Sequence, residues 1–474
     1  MRENVGKVKR KRVEKTQMNK KRSAFSGKIG YVLSAAGASV GLGNIWRFPY
    51  LAAKYGGGIF LLVYIILALT FGYTMIVAES ALGRMTRKSP VGAFRSFAKG
   101  KKVGWLSFGG WINAIIPVLI VPYYSVIGGW VVKYLFEYIR GNGSKLAEDG
   151  YFSGFISNGG ATEICFVIFC MFTLVIIYAG VQNGIERVSK IMMPILIVLS
   201  VIIAIYSVTR PGAIEGVKYF LVPNVKNFSW MTVVAAMGQM FYSLSIAMGI
   251  LVTFGSYMRK DTSIEDSTRN VEIFDTAIAM MAGLMIIPAV FAFSGGDPDT
   301  LQAGPSLMFI TIPKVFANMG FGTAVGILFF VLVLFAAVTS SIALTESAVS
   351  TFEDELGWGR KKATVLTGVI MIALGTLSCL GYGPLDFVKI IGMQFLDFFD
   401  FLTNSVMMPI AALMTSLLVS RVIGVDKIEE EIRHGESAFR RKKIFVVMIK
   451  YLCPIFALII LASSVANAFG WIAM

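Results

Sequence analysis

Apolar residues dominate this chain in long stretches, and many of these approach the roughly 20 residues that a helix needs to cross a bilayer. The stretches predict eleven membrane spans, at residues 28–53, 58–82, 104–139, 163–181, 188–209, 231–257, 271–294, 322–352, 363–382, 398–424 and 445–470. We number them as spans 1 to 11 in chain order. The pattern therefore predicts an all-α polytopic membrane protein that forms one integrated bundle.

Glycine and polar residues interrupt two of the spans at mid-length. In span 1, Gly37, Gly41 and Gly43 are followed by Asn44. In span 6, residues 239–249 again combine small and hydroxyl side chains. Non-helical backbone is tolerated at membrane depth only where it is buried in protein or lines a cavity. We therefore predict that spans 1 and 6 are unwound at mid-membrane and that the unwound parts form a functional site.

The two interrupted spans lie five apart, so one starts inside the cell and the other outside. Two broken helices at corresponding places in two halves predict an inverted 5+5 repeat and a transporter with its site at the membrane midplane. The predicted organisation is a basic cytoplasmic tail at residues 1–24, a first repeat at 25–210, a second repeat at 211–424 with an outer lid loop at about 295–320, and a cytoplasmic loop with span 11 at 425–474.

Composition and charge narrow the class of protein. With 56% hydrophobic and 15% charged residues over 474 positions, the chain is too apolar for a soluble protein of this size. A net charge of +16 would suggest a nucleic-acid partner, but the basic residues cluster in alternate connections, eleven of them within residues 1–28. This distribution follows the positive-inside rule. It predicts a multi-pass protein of the cell (plasma) membrane with a cytoplasmic N-terminus, an extracellular C-terminus, the lipid bilayer as partner and no nucleic acid.

Little in the chain supports catalysis. The four cysteines lie in or beside apolar runs without metal-ligand spacing, and His434 is the only histidine. No nucleophile elbow and no Ser-His arrangement is present, so we expect no enzyme. We interpret the acidic run at residues 429–431 as a solvated loop.

Several ordered motifs carry a family resemblance. Residues 41–50, Gly-Leu-Gly-Asn-Ile-Trp-Arg-Phe-Pro-Tyr, with the glycines at 56–58, resemble the signature of the neurotransmitter:sodium symporter family. Further matches are residues 79–84, 123–124, 243–245, 339–341 and 352–355. The family is a well-known example of broken-helix transporters. The resemblance covers roughly residues 25–470 and implies the LeuT-type fold of the eleven-span bacterial members that take up amino acids.

The resemblance implies two sodium ions as co-transported cargo, bound by oxygens that unwound helices expose. The matching positions for the first sodium are the Ser39 carbonyl, the Asn44 side chain, Ser243 and Asp275. Those for the second sodium are the carbonyls of Gly37, Val40 and Ala336 and the hydroxyls of Thr339 and Ser340. Any single hydroxyl here would by itself indicate only helix packing or a bond to a backbone carbonyl.

Asp275 lies in the largely apolar segment 271–290, where the one other acidic residue is Glu272. A buried carboxylate in a bundle is costly unless it is paired, which makes it a functional hypothesis. Animal members of the family use a chloride near the first sodium, whereas many bacterial members carry an acid nearby. We predict that Asp275 supplies this negative charge, so that chloride is not required. The alternative is that Asp275 lies at the inner membrane surface and is merely solvated.

The resemblance also implies a substrate site. Amine-transporting relatives carry an Asp at the position of Gly41, and a glycine there leaves room for the substrate's own carboxylate. The predicted substrate-binding residues are Ser39, Gly41, Leu42, Gly43, Ile120, Tyr124, Tyr242, Ser243, Ser245, Met248, Ser340 and Leu344. The Leu42 and Gly43 amides and the Tyr124 hydroxyl would bind the carboxylate. The remaining side chains are apolar or weakly polar and favour hydrophobic or aromatic amino acids, although Met248 alone would also suit a lipid-facing position.

Charged residues near the ends of the spans predict two gates. Arg47 and Asp400 would pair on the outer side. On the inner side the family resemblance implies a cytoplasmic pair at Arg22 and Asp354, with Phe25, Tyr257 and Glu346 in support. Together these features predict a sodium-coupled symporter that imports a neutral L-amino acid, a small-molecule substrate, by alternating access. An amino-acid-gated channel or a transporter-like sensor with the same bundle is the alternative.

Overall fold

The computed structural model of the protein describes residues 23–98, 104–295 and 305–471. Within these ranges, nine helices are long and apolar enough to cross a membrane. They correspond to spans 2, 3, 4, 5, 7, 8, 9, 10 and 11, at Gly58–Thr86, Gly104–Ile139, Gly159–Tyr178, Val181–Val208, Ile264–Ser294, Gly322–Leu356, Arg360–Leu380, Phe395–Ile423 and Lys442–Ala468. The all-α polytopic prediction is confirmed.

Spans 1 and 6 are each built from two shorter helices. Span 1 consists of Lys28–Ser39 and residues 43–54, and the second part begins with a π-helical turn at Gly43–Arg47. Span 6 consists of Trp230–Ser243 and Ile250–Tyr257. The non-helical residues between the two halves leave backbone groups without their intrahelical partners, which other parts of the protein must satisfy.

The interruption in span 6 has an unusual backbone. Ser245 and Ala247 have φ angles of 54° and 61°, in the left-handed region that residues other than glycine rarely adopt. The Ala247 amide donates a hydrogen bond of 2.9 Å to the Glu79 carboxylate, which comes from span 2. Glu79 is fully buried, so this contact stabilises the break from within the bundle.

The helix packing places both breaks at the centre of the molecule. The Lys28–Ser39 half of span 1 contacts spans 5, 7 and 8, and both halves of span 6 contact span 2. Span 3 packs along span 8 and completes the surroundings of the breaks. Four helices from distant parts of the sequence therefore meet where spans 1 and 6 are not helical.

Helices also extend beyond the apolar stretches that predict them. Span 5 begins at Val181 and span 7 at Ile264, earlier than the expected positions 188 and 271. Their first turns contain polar residues, so the apolar pattern does not mark where these helices begin. Shorter helices occupy the connections: Pro90–Ala98, Gly143–Leu146, Tyr151–Ser157, Ala213–Leu221, Val425–Arg433 and, in the predicted lid loop, Leu307–Ala317. The tail residues 1–22 and the lid residues 296–304 lie outside the described residues.

Candidate functional site

A cavity of about 340 Å³ lies between the interrupted parts of spans 1 and 6 and the neighbouring spans 3 and 8. All twelve residues predicted to bind substrate line it: Ser39, Gly41, Leu42, Gly43, Ile120, Tyr124, Tyr242, Ser243, Ser245, Met248, Ser340 and Leu344. Ala38, Asn44 and Ile250 line it as well. Met248 is buried in this cavity wall and does not face lipid.

One end of the cavity is polar. The Leu42 amide donates a hydrogen bond of 3.3 Å to the Tyr124 hydroxyl. The Tyr124 hydroxyl accepts this bond, so its own proton is available to an acceptor in the cavity. The Gly43 carbonyl is occupied by the Gln239 side-chain amide at 3.0 Å, which holds the backbone after the break in place.

Glycine is required at two cavity positions. A Cβ atom added to Gly41 would lie 2.6 Å from the Ser340 hydroxyl oxygen and 3.1 Å from the Tyr124 hydroxyl oxygen. A Cβ atom added to Gly43 would lie 2.4 Å from the Tyr242 ring. These distances are too short for a side chain, so glycine at both positions lets the interrupted part of span 1 pack closely against spans 3, 6 and 8 around the cavity.

Three of the residues predicted for the first sodium form one hydrogen-bonded cluster. Asp275 Oδ1 accepts hydrogen bonds from Asn44 Nδ2 at 2.8 Å and Ser243 Oγ at 2.7 Å. The Tyr64 hydroxyl, which the sequence analysis missed, donates to Asp275 Oδ2 at 2.6 Å. Ser39 lies with Asn44 and Ser243 in the cavity lining.

Asp275 is fully buried, so it is not solvated at the membrane surface. In the described part of the chain, its carboxylate contacts only uncharged donors and forms no ion pair. A buried carboxylate without a cation is costly. The cluster therefore offers an uncompensated negative charge beside the cavity, which a small cation would neutralise.

The residues predicted for the second sodium also come together. The Ser340 hydroxyl lies 3.3 Å from the Gly37 carbonyl oxygen, 3.2 Å from that of Ala38 and 3.3 Å from that of Val40. A hydroxyl has one proton and cannot satisfy three carbonyls at once. The Thr339 hydroxyl lies 3.2 Å from the Ala336 carbonyl oxygen, which adds two more oxygens beside this group. An oxygen-rich arrangement of this kind suits a hard cation.

The outer gate residues lie near each other but form no direct ion pair within 4.0 Å in the described ranges. The Arg47 guanidinium lies over the Tyr242 ring, 5.5 Å from its centroid. Asp400 instead accepts hydrogen bonds from Asn404 at 2.6 Å and from Tyr123 at 3.2 Å.

The inner end of the site is closely packed. Arg22 lies outside the described residues, and its predicted partner Asp354 accepts a hydrogen bond of 2.6 Å from the Ser89 amide. Phe25 is buried and packs edge-on against Tyr257 at a centroid distance of 6.1 Å.

Glu346 belongs to the same inner network. It accepts a hydrogen bond of 2.7 Å from Tyr257 and forms an ion pair of 2.5 Å with Arg360. The sequence analysis missed Arg360, because in the sequence it is one of several basic residues in a short connection. The long Arg360 side chain reaches Glu346 from the first residue of span 9.

Comparison with known proteins agrees with this geometry. The profile described as the sodium:neurotransmitter symporter family matches residues 22–144 and 151–470. The sodium-dependent transporter YhdH of Bacillus subtilis is 36% identical over 417 residues, which cover 87% of this chain and 91% of that protein. A sodium-dependent transporter of Haemophilus influenzae is 32% identical and covers 95% of this chain and 99% of its own length.

More distant and structural comparisons agree as well. The human sodium- and chloride-dependent GABA transporter 2 is 26% identical over 468 residues, covering 87% of this chain and 75% of that protein. The crystal structure of MhsT in complex with L-phenylalanine matches with a TM-score of 0.84 and 36% identity, covering 94% of this chain and 100% of that chain. The chain therefore belongs to the sodium:neurotransmitter symporter family and is a multi-pass, sodium-dependent membrane transporter, not an enzyme, with the LeuT-type fold.

Proposed function

We propose that the protein is a symporter that imports neutral, hydrophobic or aromatic L-amino acids together with sodium by alternating access. The observation that carries this proposal is the chemical character of the residues that line one cavity. Hydrogen-bonding groups line one part of it, with the buried Asp275 carboxylate directly behind Asn44 and Ser243, and apolar side chains line the rest. An α-amino acid has this same division between a charged backbone and a side chain.

The cavity wall supports a neutral substrate. Its apolar part includes Ile120, Met248, Ile250 and Leu344, and none of the described lining residues is charged. A charged substrate side chain would lose its hydration there without gaining a partner, which is unfavourable. The L-phenylalanine named for the MhsT complex belongs to the proposed substrate class.

Two sodium ions would travel with the substrate. The first would bind Ser39, Asn44, Ser243 and Asp275, next to the substrate carboxylate, and the second would bind between spans 1 and 8. A sodium ion and a carboxylate that complete each other's coordination each bind more tightly when the other is present. This mutual effect would couple amino acid uptake to the sodium gradient.

Chloride would not be required, because Asp275 supplies a fixed negative charge beside the first sodium. Its carboxylate accepts hydrogen bonds on both oxygens but pairs with no basic side chain in the described ranges. Its negative charge is therefore available to balance a sodium ion. Asp275 is an intrinsic charge, so anion substitution in the medium should leave transport unchanged.

We further propose a location in the plasma membrane with a cytoplasmic N-terminus and an extracellular C-terminus, following the distribution of basic residues. Spans 1, 2, 6 and 7 would move against spans 3, 4, 8 and 9. Arg47 and Asp400 would pair when the outer path closes, because a solvated pair contributes only about 0–1 kcal/mol and can break in each cycle.

A competition panel tests the substrate class. Purified protein in vesicles would take up labelled L-phenylalanine while unlabelled amino acids compete. We expect leucine, tryptophan and methionine to inhibit uptake, and lysine, glutamate and GABA to have no effect. Leu344→Ala in the cavity wall should change the ranking, whereas Leu458→Ala, at an exposed position of span 11, should not. Equal inhibition by charged amino acids would contradict the proposal.

A further inference from the structure

A second cavity, of about 300 Å³, lies between Tyr73 at the middle of span 2, the first turns of span 7 and the residues just before span 11. Its lining consists of Tyr73, Glu265, Asp266, Arg269, Arg440 and Arg441. It is separate from the substrate cavity, with which it shares no lining residue. We call this second cavity the arginine cavity.

Positive charge exceeds negative charge around Asp266. Its carboxylate lies 3.4 Å from Lys28, 3.5 Å from Arg269 and 3.2 Å from Arg440. One carboxylate cannot neutralise three cations. Each of the two arginines contacts Asp266 through one nitrogen, which leaves further N–H donors of its guanidinium group for another acceptor.

The other acidic groups of this region do not remove this excess, because the cavity lining contains three arginines and two carboxylates. Glu265 accepts hydrogen bonds from the Tyr73 hydroxyl and from the backbone amides of Arg440 and Arg441. Glu272 pairs with Arg441 at 3.3 Å. Burial raises the pKa of the nearby Glu436.

Apolar surface continues from the arginine cavity toward the membrane centre. In span 2, the exposed residues Leu62, Ile66 and Leu69 lie at helical spacing on the outward side of Tyr73. In span 7, exposed Ile273 lies one turn from Arg269.

Span 11 continues the same arrangement. Its exposed residues Ile444, Val447 and Tyr451 follow Arg440 at spacings of three and four residues. Span 2 contacts both span 7 and span 11. A cationic cavity thus adjoins exposed apolar side chains on all three spans.

We propose that the arginine cavity binds the phosphate group of an anionic phospholipid, whose acyl chains lie along spans 2, 7 and 11. Basic pockets between helices on the cytoplasmic side of a membrane are suited to anionic headgroups. Arginine is suited to phosphate because its planar group presents several N–H donors in a fixed geometry. The lipid would link span 11 to span 7.

Lipid titration of the full-length purified protein, followed by native mass spectrometry, tests this proposal. We expect phosphatidylglycerol to bind more tightly than phosphatidylcholine with the same acyl chains. The double variant Arg269→Gln/Arg440→Gln should weaken phosphatidylglycerol binding about 25-fold, or about fivefold per arginine. Both side chains are more than half exposed, so the substitutions leave the core intact.

The matched control is Arg259→Gln/Arg433→Gln. These two arginines are also more than half exposed and paired with a carboxylate, but they lie outside the arginine cavity. The control should bind phosphatidylglycerol as the unaltered chain does. Equal binding by both double variants would overturn the proposal. Full competition by millimolar inorganic phosphate would also overturn it, by assigning the cavity to a soluble anion.

A second measurement requires no variant. Chemical modification of arginine side chains in the unaltered protein would be compared with phosphatidylglycerol and with phosphatidylcholine present. Phosphatidylglycerol should protect Arg269 and Arg440, but not Arg259 or Arg433. Equal modification of all four residues with either lipid would contradict the proposed site.

Discussion

Asp275→Asn is the most informative single substitution in the substrate region. Asn has nearly the same shape as Asp, and its Oδ1 can still accept the hydrogen bonds from Asn44 at 2.8 Å and Ser243 at 2.7 Å. Its Nδ2 would face the Tyr64 hydroxyl, which can accept a hydrogen bond as well as donate one. The substitution therefore removes the charge while it preserves most of the local geometry.

The expected effect follows from the loss of one charged partner. Interactions with a charged group contribute about 1.5–3 kcal/mol, which corresponds to a decrease of about 10- to 150-fold in affinity for the first sodium. Chloride in the medium should restore part of the lost uptake if it can occupy the space near the missing charge. The unaltered protein should transport equally well in chloride and in gluconate.

The assay is the sodium dependence of L-phenylalanine uptake into vesicles, measured in chloride and in gluconate. Glu272→Gln is the control, because it removes another buried carboxylate from the same helix, one that pairs with Arg441 and does not line the substrate cavity. It should leave the sodium dependence unchanged. Full uptake by Asp275→Asn in gluconate would refute the proposed role of Asp275.

Three further substitutions test other contacts. Gly41→Ala should lower uptake at least tenfold, since the new methyl group would lie 2.6 Å from the Ser340 oxygen and displace this predicted ligand; unchanged uptake would show that transport does not depend on the close packing of residue 41 against Ser340. Ser340→Ala should weaken sodium activation about five- to tenfold, whereas Ser341→Ala, whose hydroxyl contacts span 4, should have little effect; the opposite order would contradict the second sodium site. Arg84→Gln should lower the thermal unfolding midpoint, because it breaks a buried ion pair at a cost of about 3–5 kcal/mol, whereas Arg433→Gln at an exposed pair should not; equal midpoints would show that the buried pair is not stabilising.

The sequence was most informative where composition and local chemistry coincide. Interrupted apolar runs predicted the places where span 1 stops at Ser39 and span 6 stops at Ser243. The family motifs then supplied the residues that line the cavity. Both kinds of evidence are local in sequence, so they do not depend on knowing how distant helices pack.

Contacts between distant residues were the least predictable. Tyr64 reaches Asp275 across 211 positions of sequence, and nothing in the apolar pattern around Tyr64 distinguishes it from other tyrosines in a span. Ile250 looked like an ordinary apolar residue after the break, and only the turn at 244–249 brings it to the cavity.

The interpretation of residues 429–431 as a solvated loop was wrong: all three residues lie in a helix, and one of them is buried. Glu431 is 6% exposed and lies in the helix Val425–Arg433, where it forms an ion pair of 2.7 Å with Arg84. Arg84 also donates a hydrogen bond of 2.6 Å to the Thr262 carbonyl. A run of three acids suggests exposure, but the helix turns one of them toward a fully buried arginine.

The central claim is that the sodium gradient drives amino acid uptake through the cavity between spans 1 and 6. The most direct test is accumulation of L-phenylalanine in chloride-free vesicles that contain the purified protein and have sodium only outside. We expect the internal concentration to rise above the external one and then to fall when an ionophore removes the sodium gradient. Simple equilibration of L-phenylalanine, with or without the gradient, would contradict the account and favour a passive channel or a sensor.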